Sequence, residues 1–192
     1  MLILSLLVAC RNRGGESDPH GVAKPLPEPS SSARAPTAPH RTAELTLVRQ
    51  SDDSECGPAA LATTLTYYGR PTTLDASKAA THYSSAGTTA LDLVNAALAT
   101  GLGATGIAAD SDDVLPALRT GDILHFDGNH FVVFDAFSDD NVRIMDPADG
   151  SHRLDRAAFA NRFTGVALLF ERSPAVLETR LRSIGIAPGP AQ

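Results

Sequence analysis

The sequence predicts an α+β domain in which N-terminal helices pack on an antiparallel sheet. Two observations carry this. Apolar residues recur at helical spacing after Cys56 and again after Thr89. Beyond Gly121, three short runs rich in Val, Ile and Phe alternate with turn signals. Helices first and strands later is the order of an α+β fold. A chain of 192 residues with 43% hydrophobic content supplies one ordinary core with length to spare.

The chain opens on an apolar run, Leu2 to Ala9, too short to cross a bilayer as a helix, which takes about 20 residues. It reads as the apolar part of an export signal over residues 1–10. Leu7-Val8-Ala9-Cys10 resembles the lipobox of bacterial lipoproteins, although no Lys or Arg precedes the run. That resemblance implies a lipid on Cys10, a membrane anchor and a location facing the periplasm. Arg11 after the cysteine favours the outer membrane. A plain secretory signal is the alternative. Residues 11–43 carry Pro19, Pro25, Pro27, Pro29, Pro36 and Pro39 with Ser30 to Ser32 and few large apolar side chains. This composition predicts a disordered tether, with His20 and His40 as solvated bystanders.

The folded domain is expected over 44–171. Leu45 and Leu47 lead in to Gln50. Cys56 to Tyr68 reads as a helix, with Pro58 tolerated in its first turn and Gly69 and Pro71 as stops. Asp75 to Tyr83 reads as a short second helix. Thr89 to Asp92 has the form of a capping box, opening a helix marked by Leu91, Val94, Leu98 and Leu102. Ala104 to Ala109 is expected as a strand and Ser111 to Leu118 as a small helix. Asp122 to Phe126, His130 to Phe137 and Val142 to Met145 are expected as an antiparallel meander, turning at Asp127-Gly128-Asn129 and Asp139-Asp140-Asn141. Leu154 to Phe163 reads as a helix and Gly165 to Phe170 as a last strand. Residues 172–192 add a helix from Pro174 to Ile184 and a tail.

Charge and composition narrow the function. A net charge of −6, with no cluster of Lys and Arg, argues against a nucleic-acid partner. The two cysteines, Cys10 and Cys56, sit in unlike surroundings and read as separate chemistries rather than a disulfide. A thiol at a helix start is drawn toward thiolate, the nucleophilic form. Gln50, six positions earlier, is placed to return to that point and donate to an oxyanion. A cysteine nucleophile needs a base, and His130 at the head of a strand is the candidate. Asp146, at the end of the next strand, is placed to orient the imidazole. His125 reads as structural or as a neighbour of the cleft, and His82 and His152 as surface positions. Singly, each residue has an ordinary structural reading; together and in this order they point to a catalytic triad.

Gln50 through Gly57, the helix to Tyr68-Gly69, Gly101 to Ala104, Gly128-Asn129-His130-Phe131-Val132-Val133 and Asp146-Pro147 resemble the bacteriocin-processing cysteine peptidases, or double-glycine leader peptidases. The similarity runs from about Glu44 to Phe170. It implies a papain-like fold, with Cys56 as nucleophile, His130 as general base and acid, Asp146 as orienter, and Gln50 with the Cys56 N–H as oxyanion hole. It implies a peptide substrate cut after Gly-Gly and no cofactor or metal. The best-known members are fused to a membrane-spanning region and an ATPase. This sequence has no GxxxxGK[ST] phosphate loop, so ATP use is not expected and any exporter would be a separate partner. Amide or acyl transfer by the same triad, or leader binding without catalysis, remain the alternatives.

Overall fold

The computed structural model describes residues 44–186. The expected signal with Cys10, the expected tether over 11–43 and the end of the tail lie outside the described residues.

From Glu44 the chain runs extended to Gln50, then makes a 3-10 turn over Asp53–Glu55 that continues into α1, Cys56–Tyr67. Pro58 sits in the first turn of α1, where its missing N–H costs nothing. Helix α2, Leu74–Ala80, is capped by Thr73, whose side chain accepts from the Ala76 N–H. Helix α3, Ala90–Ala99, opens on the expected capping box, with Thr89 and Asp92 satisfying each other's backbone N–H. Strand β1 follows at Gly103–Ala108. The helix expected over 111–118 is shorter: α4 spans Ser111–Val114 and gives way to a 3-10 turn over Leu115–Ala117. Pro116, which has no N–H to donate, stands in that turn.

Strands β2 (Ile123–Phe126), β3 (His130–Ser138) and β4 (Asn141–Asp146) form the expected antiparallel meander. The next element corrects the sequence reading. Gly150–Asp155 is a strand, β5, paired antiparallel to β4 from Asn141↔Asp155 to Asp146↔Gly150. The helix expected from Leu154 begins at Arg156, where Asp155 caps α5 (Arg156–Arg162) by accepting from the Ala158 N–H. Phe163 belongs to the last strand, β6 (Phe163–Glu171), and pairs with Phe126 of β2. Helix α6 closes the described chain at Pro174–Ser183.

The six strands are ordered β1-β6-β2-β3-β4-β5, so the last strand made lies inside the sheet. Apolar side chains cover both faces. In β3, Phe131 and Val133 face the cluster that contains Leu61 and Leu65 of α1 and Leu93 of α3. Val132 and Phe134 face the opposite cluster, with Phe159 of α5 and Leu177 of α6. This two-sided cover explains why β3 reads as a continuous apolar run. Helix α6 is joined to the sheet by a buried ion pair. The Arg180 guanidinium, 2% exposed, donates to the fully buried Asp122 carboxylate and to the carbonyls of Phe170 and Ala117. Asp122 also accepts the N–H groups of Arg119 and Phe170. The residues outlined as a C-terminal addition therefore share the core of the domain.

Candidate active site

The segment from Gln50 to Cys56 is held by one buried carboxylate. Glu55 accepts from the Ser51 N–H and hydroxyl, both at 2.8 Å, and from the Asp52 N–H at 3.2 Å. It also pairs with Lys78 of α2. The Lys78 ammonium first, then the Ser51 donors, draw its carboxyl down to about 2 against the cost of burial. With both ends of this turn tied, α1 begins at Cys56 with its N–H groups and positive dipole end toward the sulfur.

Cys56 is 5% exposed, yet its side chain lines a cleft of about 560 Å³. One wall is the connection from Ser85 to Ala90. The other is formed by His125, Asn129 and Phe131 of the β2–β3 hairpin with Val166 of β6. The walls approach closely at the helix start. A Cβ added to Gly57 would lie 2.3 Å from the Thr88 methyl and 3.4 Å from Phe131, so any larger residue there forces Thr88 to shift.

His130 is the first residue of β3 and Asp146 the last of β4. The ladder aligns Val133 with Met145, which carries Asp146 across from Val132, on the same face as His130. The imidazole donates from Nε2 to Asp146 Oδ1 at 2.8 Å. The same oxygen accepts the Ala148 N–H at 2.9 Å. With Nε2 committed, Nδ1 is the nitrogen left to serve Cys56, whose Sγ donates to the Asn129 carbonyl at 3.9 Å and feels the neighbouring His130 ring. Burial pushes the thiol pKa up, but the His130 ring, the Phe131 N–H, the imidazolium charge and the Gly57 N–H outweigh it, and the net shift is downward. His130 moves the other way, raised to about 10 by Asp146 first and Cys56 second, against burial. Burial raises Asp146, and its bonds to His130 and the Ala148 N–H more than reverse that. The arrangement favours a thiolate beside an imidazolium.

Gln50 comes to the same end of the sheet, because its N–H donates to the Pro147 carbonyl at 3.1 Å. Its Oε1 is buried without a protein partner. The four expected domain residues, Gln50, Cys56, His130 and Asp146, thus gather from distant parts of the chain. His82 is exposed on Asp92, as expected of a surface position. His152 is half-buried and bonds Asp149. Asp146, Asp149 and His152 hold three potential ligand atoms within 4.8 Å of one another. Those atoms already pair with His130, Ala148 and each other, and they read as a hydrogen-bonded turn. The sequence reading missed the Ser85–Ala90 wall and the Glu55–Lys78 anchor. A charged Glu immediately before an apolar helix start was the one available signal for the latter.

Residues 44–175 match the model of the Peptidase C39 family. The chain belongs to that family. It is a cysteine peptidase of mixed helical and antiparallel-sheet architecture. A protein of Methanothermobacter marburgensis is 34% identical over 130 residues, covering 66% of this chain and 88% of that relative. The colicin V secretion/processing ATP-binding protein CvaB of Escherichia coli is 30% identical over 122 residues, which are 64% of this chain but 17% of CvaB. Among solved structures, a double glycine motif protease from an AMS/PCAT transporter, in complex with leader peptide, is 32% identical with a TM-score of 0.64. The match covers 67% of this chain and 92% of that one. The peptidase domain of Streptococcus ComA, a bifunctional ABC transporter, is 28% identical with a TM-score of 0.62, covering 66% and 98%.

Proposed function

We propose that this peptidase is an endopeptidase that cuts peptide leaders after Gly-Gly through a thioester on Cys56. The observation that carries the reading is the imidazole of His130, hydrogen-bonded through Nε2 to the Asp146 carboxylate and near enough to Cys56 to lower the thiol pKa. Cys56 Sγ attacks the carbonyl carbon of the second glycine. Negative charge collects on the carbonyl oxygen, where the Gln50 amide and the Cys56 N–H serve as donors. His130 gives its proton to the departing amine, leaving the acyl group on sulfur. It then takes a proton from water, which hydrolyses the thioester and restores the thiol. Asp146 keeps the ring oriented and stabilises its charged form throughout.

The Gly-Gly preference is supported by the likeness to a double glycine motif protease solved in complex with its leader peptide. The test is cleavage of a leader-like peptide with Gly-Gly at the junction, against the same peptide with Val-Val. Wild type should cut only the first, Cys56→Ala neither, and the released acid should be free carboxylate. Equal cleavage of both peptides would remove the specificity; no cleavage of either would remove the reading.

A further inference from the structure

One histidine in the cleft has no part in the steps above. His125 lies on β2 opposite Phe131, and the two rings are 4.9 Å apart. The β2–β6 ladder slips between Leu124 and Phe126, so His125 sits at an irregularity of the kind that re-aims a side chain beside an active site. Its ring lines the cleft that holds Cys56.

Two contacts with Thr164 fix the tautomer. The Thr164 hydroxyl donates to the His125 carbonyl at 3.0 Å, which uses its single proton. The same oxygen lies 2.7 Å from His125 Nδ1 and has only a lone pair to offer there. Nδ1 therefore carries the hydrogen and Nε2 is a bare acceptor. Among the described residues, no hydrogen bond occupies Nε2. Burial, then the charge on His130, lower the pKa of this ring and keep it neutral at pH 7. The cleft thus contains an acceptor of fixed orientation beside a nucleophile. An extended peptide bound there brings N–H groups that need such a partner once they leave water.

We propose that His125 Nε2 accepts a hydrogen bond from a backbone N–H of the bound peptide and anchors the substrate beside Cys56. This rests on the peptidase reading above. The contact is a binding contact, so it acts on affinity and leaves the thiolate–imidazolium pair alone. His125→Phe keeps a ring against Phe131 and removes the acceptor. Its KM for the Gly-Gly peptide should rise about 5- to 10-fold, the worth of one net hydrogen bond. Its kcat should stay within about twofold, and iodoacetamide should alkylate Cys56 at the wild-type rate. His125→Gln, with an amide oxygen near the former Nε2 position, should recover most of the loss. Peptides with single N–H groups replaced by ester oxygen locate the donor. Wild type should be weakened at one position, and His125→Phe should be indifferent there.

The same comparison is made at equilibrium, with the peptide titrated into Cys56→Ala and into Cys56→Ala/His125→Phe, so that binding is read without turnover. An unchanged KM and affinity in His125→Phe, a loss confined to kcat with slowed alkylation, or identical ester profiles in both proteins would each overturn the proposal while the peptidase reading stands. A wild type that neither binds nor cuts the Gly-Gly peptide would overturn both.

Discussion

Replacing Asp146 by Asn separates charge from orientation at this site. Asp146 Oδ1 alone takes both the His130 and the Ala148 hydrogen bonds. An amide oxygen in that place can accept both, so the ring should keep its position and lose only the negative charge behind it. His130 is raised from 6.5 to about 10, and Asp146 is the first of the two groups that raise it. At about 1.4 kcal/mol per pKa unit, this is a preference of roughly 5 kcal/mol for the charged ring. The side chain is 19% exposed, so solvent screens little of it. If Asp146 supplies about half, Asp146→Asn lowers the His130 pKa by about 1.5–2 units, to roughly 8. The sign follows from the role. His130 must hold a proton for the leaving amine, so activity is lost as pH rises through its pKa. The assay is kcat/KM for a Gly-Gly peptide from pH 5 to 11. Wild type should lose activity near pH 10 and Asp146→Asn near pH 8, with a smaller loss at the optimum than in Asp146→Ala, which also frees the ring. An alkaline limb that does not move in Asp146→Asn would refute the argument that this carboxylate holds the imidazolium.

Other expectations rest on single contacts. Gly57→Ala should destabilise the fold by about 1–3 kcal/mol through overpacking against Thr88, and Thr88→Ser, which deletes the methyl but keeps the hydroxyl bonded to Thr81, should rescue it in denaturant titrations. Arg180→Met leaves the Asp122 charge buried without its partner and should cost about 3–5 kcal/mol; adding Asp122→Asn should recover part of that. Glu55 is depressed to about 2 from an ordinary 4.5, so its share of stability is complete above about pH 5 and fades as pH falls toward 2. Denaturation midpoints of Glu55→Gln should therefore vary less with pH across that window. The chain contains one Gly-Gly pair, Gly14–Gly15. A peptidase of this specificity is expected to shorten its own chain after Gly15, and the intact mass of wild type against Cys56→Ala checks it.

The sequence carried the elements that have strong local signals. Pro58 marked the first turn of α1, the Thr89–Asp92 box opened α3, and the Gly128 and Asp139–Asp140 turns separated β2, β3 and β4. The gathering of Cys56, His130 and Asp146 was legible because each sits at an element boundary, where polar side chains interrupt apolar runs. Strand β5 was hidden because it is the end strand of the sheet. Ser151, Arg153 and Asp155 are exposed, and Leu154 is its one large apolar residue. That leucine, joined to Phe159 and Phe163, mimics a helical face. Propensity also says nothing of strand order, so the insertion of β6 between β1 and β2 was not legible. Nor was the cleft wall at Ser85–Ala90, whose small polar residues acquire meaning only from the packing of Thr88 on Gly57. The role of His125 depends on a hydroxyl 39 residues away in sequence, a relation no local pattern records.

The central berth of β6 has a consequence for synthesis. While a ribosome is still extending the polypeptide short of residue 163, β1 and β2 lack the neighbour they share, and Leu168 and Phe170 are missing from beneath the helix that opens at Cys56. The Asp122 carboxylate waits even longer for its cation. Emergence of β6 and α6 is thus coupled to assembly of the support under Cys56, which delays the hydrolase until the final elements of its own domain have been made.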